Sequence, residues 1–242
     1  MKQLTQQLKS GKMEILEVPF PVLEKGQVLV KNHFSVISPG TEGKTVSDAR
    51  KGYVAKAKSR QKEVKMVIES IKNEGFKKTY DIVMNKLNAP SPLGYSCAGE
   101  VIAVGEEVND FKVGDRVACG GDGAVHAQVV SVNRNLCVKV PDHVELNHAA
   151  FSTLAAIAIQ GIRQAELKFG ENCTVVGLGI IGLLTVQILK AAGIKAIGVD
   201  LNQEQVKKAK EVGADLALLR NNDGIVKTIT EHTDGYGTDA VI

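Results

Sequence analysis

The chain has 242 residues, 44% apolar and 24% charged, with 24 glycines, no tryptophan and a formal net charge of +3. That length holds one large domain or two small ones, and the composition is that of a globular chain, which excludes a disordered or collagen-like polymer. A charge of +3 is too small to imply a nucleic-acid partner, no run reaches the ~20 apolar residues of a spanning helix, and the polar start from Met1 to Gln7 lacks the apolar core of a secretory signal.

Residues 1–43 read as β structure. The run 13–18 is bounded by Gly11 and by Pro19 and Pro21, and a strand over 28–31 follows the turn signal Lys25-Gly26. Ser38-Pro39-Gly40-Thr41 interrupts the pattern. Over 44–90 the period changes. Val64, Val67, Ile68 and Ile71 fall on one helical face. Lys72-Asn73-Glu74-Gly75 is a helix stop, and Phe76, Tyr80, Val83 and Leu87 predict a second helix ending before Pro90. This insert carries 12 Lys/Arg against 5 Asp/Glu. Its lysines fit either a solvated helix face or an electrostatic lure for an anionic substrate or partner.

Residues 91–150 return to β, with strands expected over 100–105, within 112–118 after a turn, and over 127–132 and 137–141. Glycine turns between such short strands predict a small barrel or sandwich. From 151 strand and helix alternate: a helix over 152–165, a strand over 173–176, a helix over 180–192, a strand over 196–200, a helix over 204–212, a strand over 216–219, a helix over 224–232 and the opening of a strand at 239–242. That alternation means a parallel sheet with right-handed crossovers. A parallel sheet is covered on both faces, so a fourth strand that only opens predicts an incomplete sheet and a chain that is a fragment of a longer protein. Cys97, Cys119, Cys137 and Cys173 form no C-x-x-C pair and read as reduced, buried small hydrophobes, which fits a cytoplasmic location.

Chemistry concentrates in Gly177-Leu178-Gly179-Ile180-Ile181-Gly182, a G-x-G-x-x-G between a predicted strand and a predicted helix. Gly177 permits the tight turn, Gly179 leaves room for a pyrophosphate to approach the backbone, and Gly182 lets helix and strand pack. The phosphates would sit on the helix N-terminus. Asp200 ends the next strand, where an acid hydrogen-bonds the adenosine ribose. Its carboxylate would repel a 2′-phosphate, so NAD is expected over NADP, with Asn202 and Lys207 near enough to soften the preference.

The order of features resembles one family. Pro92 to Gly105 reads PLGYSCAGEVIAVG, followed by VGDRV at Val113 to Val117, GDGAVHAQVV at Gly121 to Val130, and VPD at Val140 to Asp142. With the dinucleotide motif behind them, these runs resemble the medium-chain dehydrogenase/reductase superfamily. That resemblance implies a GroES-like β-rich domain over 1–150, interrupted by the helical insert, and an incomplete Rossmann domain, a doubly wound parallel sheet, over 151–242. Ser38-Pro39-Gly40-Thr41-Glu42, the basic insert and Leu93 to Gly99 more closely resemble a bi-domain branch. There the region is fused to a Gfo/Idh/MocA-like oxidoreductase domain. A fused domain and a homo-oligomer are the partners this implies, besides a small-molecule substrate.

Zinc members of the family hold a catalytic metal through three positions, matched here by Ser38, the Gly94-Tyr95-Ser96 segment and Thr153. None supplies a thiolate, imidazole or carboxylate, the ligands Zn²⁺ takes. The closely spaced cysteines of a structural-zinc lobe reduce to Cys119. No zinc is expected. Tyr95, Ser38 and Thr153 are then the candidate catalytic residues, stabilising oxyanion charge by hydrogen bonds in place of a Lewis acid. Thr41 and Glu42 are further candidates on the Ser38 loop. His126 fits a general acid or a structural histidine, and Lys44 is open to both readings. The resemblance implies a zinc-independent NAD(P)-dependent oxidoreductase, with sugar-related substrates by association. The alternatives are a quinone or enone reductase and a non-catalytic dinucleotide-binding module.

Overall fold

A strand with no apolar alternation opens the chain. The computed structural model describes residues 1–50, 61–220 and 224–242. In it β1 (Lys2–Gln7) pairs antiparallel with β2 (Met13–Glu17) on one side and β4 (Pro90–Pro92) on the other. Thr5 and Gln6 are buried there although both are polar. The described chain divides into two compact units, Met1–Phe151 and Ser152–Ile242.

In the first unit a second sheet has the antiparallel order β7-β3-β5-β6-β8. Its strands are β3 (Gln27–Ser35), β5 (Ser96–Val104), β6 (Arg116–Gly120), β7 (Val129–Asn133) and β8 (Cys137–Lys139). Strand period puts Val28 and Val30 of β3 on the inner face, where they meet Val101, Val117, Val130 and Val132 with no more than 1% exposure. Each such side chain contributes roughly 1.5–3 kcal/mol relative to exposure. Register shifts in the β3–β5 pairing lie between Leu29 and Val30 and between Asn32 and Phe34.

The insert differs from expectation. Three helices are described rather than two: α1 (Thr41–Arg50), α2 (Gln61–Glu74) and α3 (Phe76–Asn88). The first begins directly after the Ser38-Pro39-Gly40 break. Its only large apolar side chain is Val46, so it carries no stripe for periodicity to detect. The stop at Gly75 holds, with φ at +86°. Phe76 and Tyr80 stack at one turn's spacing, ring centroids 6.2 Å apart. Residues 51–60 of the basic insert, and the side chain of Val64, lie outside what is described. A short helix, α4 (Leu146–Ala149), closes this unit.

The second unit is a parallel sheet of order β11-β10-β9-β12. It runs α5 (Ser152–Gln164), β9 (Asn172–Val176), α6 (Ile180–Ala191), β10 (Lys195–Asp200), α7 (Gln203–Glu211), β11 (Leu216–Leu219), α8 (Ile225–His232) and β12 (Ala240–Val241). Residues 196–199 of β10 are buried without alternation, as a sheet packed on both faces requires. Ala196 joins the core of Val175, Leu178, Val186 and Leu189, while Ile197 and Val199 join Ile229 in a separate cluster. No helix among the described residues is long and apolar enough to cross a membrane.

Candidate functional site

The glycine turn sits between β9 and α6. Gly177 has φ at +95°, a region side chains rarely adopt, and its N–H bonds Val199 O at 2.8 Å, tying the turn to β10. A Cβ on Gly182 would lie 1.9 Å from Gly177 O, so only glycine lets the helix approach the turn that closely. A Cβ on Gly179 would meet nothing within 4 Å. Gly179 is the residue before α6, with no side chain capping it, and Leu183 N–H to Gly179 O is the first intrahelical bond. The N–H groups of Gly179, Ile180, Ile181 and Gly182 precede that bond at the positive end of the helix, and the space at Gly179 is open. Leu178 is fully buried and anchors the turn in the core. Asp200 accepts from Leu178 N–H at 2.6 Å and from Asn202 N–H at 2.7 Å, which holds its carboxylate beside the turn. Open space at Gly179, free amides and an oriented carboxylate fit a dinucleotide's diphosphate and ribose.

The first unit gathers the other candidates at one end of the β3–β5 pair. Val36 N–H bonds Ser96 O at 3.0 Å, with Ser38 two residues beyond the first and Tyr95 one before the second. Ser38 is buried and Tyr95 half-buried. Ser96, fully buried, donates to Ala150 O at 2.6 Å. Thr153 lies in the second unit, in the first turn of α5.

The Ser38 loop holds what local sequence did not reveal. Glu42 caps its own turn: its N–H bonds Ser38 O at 2.9 Å, and its Oε1 accepts from Ser38 N–H at 3.3 Å. Its Oε2 lies 3.1 Å from His126 Nε2, and the two side chains are only 11% and 8% exposed. His126 Nδ1 lies 2.8 Å from Ser35 Oγ. His126 is therefore not an isolated strand histidine but the middle of a hydroxyl–imidazole–carboxylate chain. Its backbone is clamped as well, with His126 N–H to Leu93 O at 2.7 Å and Leu4 N–H to His126 O at 2.8 Å. Gln6 is fully buried against the same helix, its Nε2 donating to Thr45 O at 3.3 Å. Its Oε1 is buried with no partner among the described residues.

The donor set does not fit Zn²⁺. Ser38, Tyr95 and Thr153 offer neutral hydroxyls, and among the described residues no three of His, Cys, Asp and Glu group to hold a metal. Cys97, Cys119 and Cys137 sit side by side across β5, β6 and β8, with the last two sulfurs 3.6 Å apart. The hydrogen bond to Cys137 pushes the Cys119 thiol up, as does its buried position beside Cys97, and the same bond holds Cys137 below its ordinary value.

Comparison with known proteins bears on the family and the fold. Residues 58–142 match the model of the alcohol dehydrogenase GroES-like domain, and residues 181–242 that of a zinc-binding dehydrogenase. The (R,R)-butanediol dehydrogenase of Bacillus subtilis is 34% identical over 172 residues, 61% of this chain and 50% of that protein. A quinone oxidoreductase of Pseudomonas aeruginosa is 35% identical over 150 residues, 60% of this chain and 46% of that protein. The chain thus spans about half the length of these relatives. The crystal structure of Escherichia coli quinone oxidoreductase complexed with NADPH superposes with a TM-score of 0.71 at 20% identity. That match covers 98% of this chain and 64% of the other, and it shows a shared fold.

Proposed function

The chain belongs to the medium-chain dehydrogenase/reductase superfamily, and from that premise we propose that it serves a zinc-independent, NAD(P)-dependent oxidoreductase. The reaction moves hydride between a nicotinamide and the carbon of a carbonyl or alcohol substrate. The main support is the turn from Gly177 to Gly182, open at Gly179 and flanked by the oriented carboxylate of Asp200. The amides of Gly179, Ile180, Ile181 and Gly182 would hold the diphosphate, Leu178 fixes the turn from below, and Asp200 would take the ribose hydroxyls, favouring NAD over NADP. The bound nicotinamide supplies the two-electron chemistry, and the protein orients it and stabilises charge. Without a metal, hydrogen bonds must meet the developing oxyanion, a role for the hydroxyls of Tyr95, Ser38 and Thr153. The neutral donor set at those positions supports zinc independence.

A quinone or enone reductase is the second reading, favoured by the relative of that name and by chemistry that needs no metal. Sugar-related substrates and a fused second oxidoreductase domain rest on the resemblance carried by Ser38 to Glu42, the basic insert and Leu93 to Gly99.

Calorimetric titration with NADH and NADPH, then turnover with sugars, alcohols and quinones, tests these readings. NADH binding with alcohol or sugar turnover is the expected result. Binding without turnover would leave a dinucleotide-binding module, and no binding of either cofactor would remove the assignment.

A further inference from the structure

We propose that Cys137 is a site of oxidation by hydroperoxides and that Cys119 resolves the product to a disulfide joining β8 to β6. The proposal stands apart from the oxidoreductase reading, since it needs neither a cofactor nor a substrate site.

Strand register selects the pair. Cys119 is the centre of a row of three thiols, opposite Cys97 of β5 on one side and Cys137 of β8 on the other. The two neighbours are not equivalent. Between β5 and β6, Gly121 N–H bonds Tyr95 O at 3.0 Å and Val101 N–H bonds Asp115 O at 2.9 Å. Hydrogen-bonded pairs recur at every second position of an antiparallel ladder, so Cys97 and Cys119 form such a pair. Between β6 and β8, Val140 N–H bonds Arg116 O at 2.8 Å. The same alternation makes Cys119 and Cys137 a non-hydrogen-bonded pair, the kind whose side chains lie closer. Opposed Cβ atoms there approach about 4.5 Å, and a disulfide spans about 3.5–4.5 Å between Cβ atoms. The sulfurs of Cys119 and Cys137 are already 3.6 Å apart.

Exposure orders the two thiols. Cys119 is 2% exposed, whereas Cys137 is half-buried on the edge strand of its sheet. A small peroxide therefore meets Cys137 first. The hydrogen bond to Cys119 holds Cys137 below its ordinary value, against its burial and the nearby charge of Asp110. That favours the thiolate, which is the attacking form. Cys119, pushed up by the same bond, keeps its proton until its partner is oxidised. Core packing accounts for the fully buried Cys97 and Cys173; it does not call for a thiol at the sheet edge facing a second one.

In the first step the Cys137 sulfur attacks the peroxide. An S–O bond forms, the O–O bond breaks, and the Cys137 proton leaves with the alcohol, or with water when the oxidant is hydrogen peroxide. Cys137 is then a sulfenic acid. In the second step the Cys119 sulfur attacks that of Cys137. The S–S bond forms, the S–O bond breaks, and the hydroxyl departs as water with the Cys119 proton. Two thiols lose two electrons and one peroxide gains them, so the hydroperoxide is the only co-reactant. The closed loop 119–137 carries β7 and His126, whose ring bonds Glu42 of the Ser38 loop.

The test treats the whole chain, freed of reductant, with hydrogen peroxide, blocks it with N-ethylmaleimide and digests it with trypsin without reduction. Cleavage after Arg116, Arg134 and Lys139 puts the two cysteines on separate peptides. Mass spectrometry is expected to find those peptides joined, and dithiothreitol to part them. Free thiols are expected to fall from four to two. In Cys119→Ala, dimedone is expected to trap a sulfenic acid at Cys137, while Cys97→Ala still forms the disulfide. Four surviving thiols in the wild type, irreversible oxidation of Cys137 without a disulfide, or a disulfide that includes Cys97 or Cys173 overturns the proposal. Folded Cys119→Ala protein with no dimedone adduct at Cys137 overturns it as well. The wild-type peptide map decides the matter even where a variant fails to fold.

Discussion

Leu178 and Asp200, the middle of the glycine turn and the end of the neighbouring strand, are joined by a 2.6 Å bond from the Leu178 amide to the Asp200 carboxylate. The residue that would read the ribose also shapes the turn that would hold the diphosphate. Replacing Asp200 with Ser is therefore expected to do two things. It narrows the gap between NADH and NADPH affinity, and it loosens the turn by about 1–3 kcal/mol, because the part-buried Leu178 amide loses its acceptor. Calorimetry with both cofactors and a thermal melt measure the two effects. An unchanged affinity ratio would mean that the ribose is read elsewhere.

The three glycines of the motif separate binding from folding. Gly179→Val is expected to fold at close to wild-type stability, since its Cβ meets nothing within 4 Å, while losing dinucleotide binding because the side chain fills the diphosphate's place. Gly182→Ala is expected to destabilise the second unit outright, since even one methyl meets Gly177 O at 1.9 Å. Circular dichroism melts and NADH titration of both variants make the comparison. Gly179→Val with wild-type affinity would remove the cofactor assignment.

Cysteine reactivity is expected to follow position in the sheet. Cys137 is half-buried, and the hydrogen bond between its sulfur and that of Cys119 holds it below its ordinary value. Cys119 is buried and pushed up by that same bond, and burial pushes Cys173 up to about 11. Thiolates are the alkylating species. Iodoacetamide near pH 8 is expected to label Cys137 before Cys119 and Cys173, read by peptide mass spectrometry over time. Labelling of Cys173 first would contradict the packing of the second unit's core.

What sequence could reveal divides along the same line as these tests. The glycine turn was legible because its parts are local: strand, turn and helix lie within one short run, and Asp200 follows at a fixed distance along the chain. Strand β1 was not, because Lys2 to Gln7 has no apolar period. It is made a strand by its partners Met13–Glu17 and Pro90–Pro92, which bury Thr5 and Gln6. Helix α1 was missed for lack of an apolar stripe. Glu42 and His126 were each visible as candidates, but a separation of 84 positions hid their pairing. The contact exists because the loop after β3 and the segment after β6 meet beside Leu93 and Leu4, and no spacing rule encodes that.

Asp215 offers a pH test of the second unit's stability. Burial alone would raise its carboxyl, but the Lys190 ammonium at 2.6 Å and the Ala196 N–H at 2.7 Å outweigh it and hold the group below the usual carboxylate range. A depressed folded-state value means that the contribution is fully present above the unfolded carboxylate's titration near ~3.9. It is lost as pH falls through the lower folded value. Asp215→Asn is thus expected to cost about 1–2 kcal/mol at pH 7, the scale of a charge-assisted hydrogen bond to a partly screened group. That cost is expected to shrink as pH drops below ~4. Urea melts of both proteins between pH 3 and pH 7 follow the difference. A cost that stays constant over that range would show that the carboxylate's charge does not link β10 to the loop before β11. The bond from Asp215 to the Ala196 amide would then act through geometry alone.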